Sequence, residues 1–120
     1  MPDTDLLSLS DPNGLLNPRA VAVHLGLELM DLAVLLRVDS DSLYRLPHSS
    51  DVQERLREVV GILACVCALM VSDGENQAVI WFKNQPIAGF GNLTAMTLVA
   101  EGRAKDVMEH LHRLENGGYA

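Results

Sequence analysis

From Asn17 onward, apolar residues recur at steps of three and four, the period of a helix rather than a strand. Val21, Ala22 and Leu25 form a first stripe. Asn17 caps it, Pro18 occupies the first helical position, where its missing amide hydrogen costs nothing, and Gly26 stops it. Leu29, Leu32, Ala33 and Leu36 mark a second helix over about 28–37, and a short third covers about 40–46, ended by Pro47. Ser50 and Gln53 read as a capping box opening a long helix over about 51–72, with Val52, Leu56, Val59, Leu63, Val66 and Met70 along one side. Beyond Val59 the other side is apolar too, so this second half is expected to be covered all round. Asp73-Gly74 then precedes a helix over about 75–83, and Pro86, Gly89 and Gly91 fall in a loop. Two last helices are expected over about 92–100 and 103–116. Val107, Leu111 and Leu114 line one side of the second. No alternating β-branched run suggests a sheet, so the pattern predicts an all-α, compact helical protein.

Length and composition narrow this further. A chain of 120 residues with 48% hydrophobic content supports one domain or two small ones, and excludes wholesale disorder. No Pro-, Gly- or Ser-rich linker separates lobes, which favours two helical portions on a common core. Met1 to Asp11 contains three aspartates and no lysine or arginine, unlike the charged start of a secretory signal. The most apolar stretch, Val59 to Val71, would rise only about 20 Å as a helix, short of the ~30 Å hydrocarbon core. The expectation is a cytoplasmic protein without a membrane span. Aromatics at 4% and a net charge of −7 argue against a stacking platform or a non-specific polyphosphate binder. The charge is unevenly placed: residues 1–75 carry 12 acids and 5 bases, residues 76–120 carry 4 of each.

Candidate chemistry is sparse. Cys65 and Cys67 point about 200° apart on a helix, so they cannot share an ion, and their apolar setting makes core thiols the better reading. His110 and His112 fail the same test, while His24 and His48 read as partly buried or surface residues. Asp39-Ser40-Asp41 lacks the glycine and distal glutamate of a calcium loop, and Gly89-Phe90-Gly91 lacks the strand and third glycine of a dinucleotide fingerprint. No serine or cysteine sits in a nucleophile context. A non-enzyme with no metal and no cofactor is expected.

Residues 29–46 carry a more informative pattern. Ala33 is the small residue over which a second helix can cross, Val38 plugs the corner, and Leu43 and Leu46 would face inward: the arrangement of a helix-turn-helix. Ser40, Ser42, Tyr44 and Arg45 would then face DNA. Arg37 stands where such a turn usually has glycine, and Asp39 and Asp41 place acids on the presumed reading surface.

The second half follows a distinctive order: Trp81-Phe82-Lys83-Asn84-Gln85-Pro86, Gly91, Leu98-Val99, Glu101-Gly102-Arg103, Val107, Leu111, Leu114-Glu115-Asn116-Gly117 and Tyr119. Over residues 78–120 this resembles the toxin-binding domain of Xre/MbcA/ParS-type antitoxins, and the upstream helices sit where that family has its Xre-like region. Two positions depart: Thr94 stands where the family often has proline, and Gln85 separates an Asn and Pro that are usually adjacent. The resemblance implies three parts, a variable amino-terminal segment (1–16), an Xre-like helix-turn-helix region with a long central helix (17–74) and a toxin-binding domain (75–120). It implies an antitoxin that neutralises a RES-type, NAD-consuming toxin by occluding its active site, that commonly forms a homodimer and that represses its own operon. Carried over by position, the toxin-facing residues are Arg113, Glu115, Asn116, Gly117, Gly118, Tyr119 and Ala120. The alternative is a stand-alone dimeric helix-turn-helix regulator or interaction module without a toxin. Trp81, Leu98, Val107, Leu111 and Leu114 are expected as core of the carboxyl-terminal portion, and Gly102 as a turn needing a left-handed backbone.

Overall fold

In the computed structural model the chain is all-α, with seven helices and no strand among the described residues, which are 9–10, 14–69, 74–87 and 89–115. The helices are α1 (Pro18–Leu25), α2 (Leu29–Leu36), α3 (Ser40–Arg45), α4 (Ser50–Leu69), α5 (Gly74–Asn84), α6 (Ala95–Ala100) and α7 (Ala104–Glu115). No helix among the described residues is long and apolar enough to cross a membrane. The chain divides into two compact units, Met1–Val60 and Gly61–Ala120, with the division falling inside α4.

In the first unit α1 packs on α2 and α2 on α3. Asn17 caps α1 as expected, its side chain accepting hydrogen bonds from the Arg19 and Ala20 amides. The helix ends at Gly26, whose left-handed backbone (φ 71°) lets the Leu27 amide reach the Ala22 carbonyl. The same end recurs on α2 with Arg37 in place of glycine: Arg37 is left-handed (φ 61°, ψ 42°) and the Val38 amide donates to the Ala33 carbonyl. The spare Leu36 carbonyl accepts from Arg55 Nη1 at 2.9 Å, a cation at the negative end of a helix. Val21, Ala22, Leu25, Leu32, Ala33, Leu36 and Leu43 are buried as the periodicity requires, with Leu35 added.

Three details of this unit differ from the sequence expectation. Leu46, expected to face inward, is 59% exposed, because α3 ends one residue earlier and the chain turns toward Pro47. The cap of α4 is Ser49, whose Oγ accepts from the Val52 amide. Gln53 is therefore released from a capping box, and its buried side chain reaches across the chain instead. Gln53 Oε1 accepts from the Leu16 amide, while Nε2 donates to the carbonyls of Leu16 and Pro47. This tie holds the approach to α1, where Leu9 and Leu16 join the core and the Asn17 amide donates to the Leu9 carbonyl.

In the second unit α5 packs on α6 and α6 on α7. Ile62, Leu63, Val66, Ala78, Phe82, Ile87, Leu98, Val107 and Leu111 form its interior. Phe82, not Trp81, is the fully buried aromatic, contributing about 1.5–3 kcal/mol over an exposed position, whereas Trp81 is half-buried. Leu114 is also half-buried. The second half of α4 is not covered all round: Ala64, Ala68 and Leu69 are exposed, and a Cβ at Gly61 would meet nothing within 4 Å. The expected helix from 92 starts later, at Ala95, because Asn92 (φ 64°) and Gly91 (φ 66°) are left-handed. Thr94 caps it by accepting from the Thr97 amide. Gly102 (φ 84°) makes the expected turn, with the Arg103 amide donating to the Leu98 carbonyl.

Candidate functional site

The residues assigned to DNA lie on α3 in the first unit. Ser40, Tyr44 and Arg45 are exposed and Ser42 is half-buried, while Leu43 between them is buried and anchors the helix. Asp39 and Asp41 stand at the amino-terminal end of α3, and Tyr44 and Arg45 at its carboxyl-terminal end. Six residues rise only about 9 Å, so the acids and the cation are separated by little more than one turn.

Beside Tyr44 lies an open cleft of ≈ 250 Å³ between the start of α1 and the α3–α4 turn. Asn17, Pro18 and Arg19 border it on one side, and Leu43, Tyr44, Pro47 and His48 on the other. The Arg19 guanidinium sits 5.6 Å from the centre of the Tyr44 ring, a cation–π pair that orients both side chains. This cleft was not legible in the sequence, because it depends on α1 lying against α3.

The residues assigned to a toxin divide between helix and tail. Arg113 and Glu115 occupy the last turn of α7, both exposed. Asn116, Gly117, Gly118, Tyr119 and Ala120 lie outside the described residues. The two charges on α7 act on neighbouring groups within the unit. Burial, and then the Glu115 carboxylate, push the Cys65 thiol above its ordinary value. Burial, and then the Arg113 charge, hold His110 below the usual histidine range. Cys65 and Cys67 are half-buried rather than core residues, and a raised thiol keeps Cys65 in its unreactive protonated form.

The loop between α5 and α6 is held by two devices. The Ile87 amide donates to the Leu93 carbonyl, and Pro86 bridges Thr94 in antiparallel fashion. The Arg103 guanidinium lies 5.3 Å from the Phe90 ring and its Nε donates to Asp106 Oδ2 at 2.9 Å, joining this loop to the start of α7. Among the described residues no three His, Cys, Asp or Glu side chains gather as a metal site. His24 Nε2 is buried without a hydrogen-bond partner.

Comparison of the chain with protein-family models, with curated proteins and with solved structures finds no match.

Proposed function

We propose that this protein is a non-enzymatic antitoxin of the cytoplasm that neutralises a RES-type, NAD-consuming toxin by occluding its active site. The observation that carries the reading is the ordered motif of residues 78–120, from Trp81 through Glu101-Gly102-Arg103 to Tyr119. Its glycines fall where the backbone needs them: Gly91 and Gly102 are both left-handed, at φ 66° and 84°. An amphipathic α7 leads directly to the tail, with Arg113 and Glu115 exposed on its last turn. Asn116 to Tyr119 follow as a short segment with one aromatic anchor, suited to filling a dinucleotide cleft.

A second role, repression of its own operon by α3 as homodimer, is supported by the α2–α3 pair with its three-residue connection and by exposed Tyr44 and Arg45. The alternative without a toxin keeps only this role. The two separate on one experiment: purification of the full chain with the product of a RES-type reading frame, where one is found beside its gene. Co-elution as a stable complex supports the antitoxin. Separate elution of two folded proteins leaves the regulator.

A further inference from the structure

We propose that the cleft between the start of α1 and the α3–α4 turn seats a backbone phosphate of duplex DNA, with Arg19 as its principal cation. This rests on the DNA-binding role proposed above and names the residues that would dock the duplex.

The first observation is local charge. Residues 1–60 contain ten acids and five bases, yet none of the cleft-lining residues is acidic. Arg19, the one fully charged lining residue, is exposed on the α1 side of the cleft. Asn17 adds a donor, because its Oδ1 is taken by the cap of α1 and its NH2 is the group it can offer. A cleft without an acid, bordered by the Arg19 cation and the Asn17 amide in an acidic unit, matches an anion.

The second observation is that the cleft is built before any ligand arrives. Gln53 hydrogen-bonds Leu16, next to Asn17 on one wall, and Pro47 on the other, at 2.8–2.9 Å. Arg19 is already held over the Tyr44 ring, so less side-chain entropy is lost on binding. Proline and tyrosine walls offer rigid apolar surface to a sugar while the donors take the phosphate.

The third observation is the polarity of α3. Its cationic end borders the cleft and its acidic end lies away from it. Asp39 and Asp41 stand at the other end of α3 and do not line the cleft. The acids then oppose phosphate binding less than the net charge suggests. A peptide carboxylate would satisfy the same donors, but Tyr44 belongs to both cleft and α3, which makes them one continuous surface suited to a duplex.

The test titrates the full chain into two labelled duplexes, one from upstream of its own gene and one scrambled, over about 50–200 mM salt. Arg19→Ala should weaken both duplexes alike, roughly tenfold at low salt, and reduce the slope of log K against log salt by about one. Arg19→Lys should keep the slope, and both variants should stay folded by circular dichroism, with melting lowered at most slightly by loss of the exposed Arg19–Tyr44 pair. Unchanged affinity and slope in Arg19→Ala, with wild-type binding intact, would overturn the phosphate seat and leave DNA binding standing. That is also the result if the cleft instead takes a peptide carboxylate. A loss confined to the upstream duplex would show Arg19 reading bases and overturn it too. No binding of wild type to either duplex would overturn both the seat and the DNA-binding role.

Discussion

Arg37 occupies a backbone position that glycine fills at the equivalent ends of α1 and α6. At Gly26 and Gly102 the left-handed turn has no Cβ to accommodate, whereas Arg37 holds φ 61° against a side chain. Arg37→Gly should therefore raise stability by about 0.5–1 kcal/mol, read as a higher denaturation midpoint with unchanged slope. A lower midpoint would mean that the Arg37 side chain makes a contact outweighing the strain. Gln53 works in the opposite sense. Gln53→Ala leaves the Leu16 amide and the Leu16 and Pro47 carbonyls without their partner and should cost about 2–4 kcal/mol, measured by chemical denaturation. A loss below 1 kcal/mol would show that water replaces the amide readily. The first residue was legible in the sequence, since a non-glycine at a turn of this kind announces strain. Gln53 was not, because three residues after Ser50 it imitates a capping box, and only the distant Leu16 reveals its partner.

At the scale of elements, caps and stops were the readable part. Asn17-Pro18, Gly26 and Gly102 act through local backbone chemistry, which neighbouring residues suffice to specify. Which residue of an apolar pair turns inward was less readable. Trp81 and Phe82 are adjacent and 100° apart on α5, so small rotation of the helix decides which is buried, and tertiary packing chose Phe82. Leu46 failed for a similar reason: it is apolar, but α3 stops before its periodicity can bury it. Between α4 and α7, the Glu115 carboxylate helps to hold the Cys65 thiol protonated. In a Cys67→Ser background, Glu115→Gln should speed alkylation of Cys65 at mildly alkaline pH, because more thiolate is present. An unchanged rate would show that burial alone sets the thiol. Because Glu115 is also a candidate toxin contact, protection of Cys65 from alkylation provides a way to follow what binds the end of α7.

At the scale of the whole molecule, the net charge of −7 describes two unequal parts. All of it arises in residues 1–75, and residues 76–120 are balanced. The balanced part carries the motif on which the antitoxin reading rests. The acidic part holds α3, and there the arrangement of charge matters more than its sum: the cleft-lining residues include no acid even though acids outnumber bases around it. Helical class was legible from periodicity alone. The cleft was not, since it joins residues about thirty positions apart. The central claim, occlusion by the tail, is tested most directly by NAD consumption of a RES-type protein, where one is found encoded beside this gene. It would be followed with the full chain and with a chain ending at Glu115. The full chain should abolish consumption at equimolar ratio, while the shortened chain, still folded by circular dichroism, should leave it running. Equal inhibition by both would contradict occlusion by the tail, and no inhibition by the full chain would contradict the antitoxin reading itself.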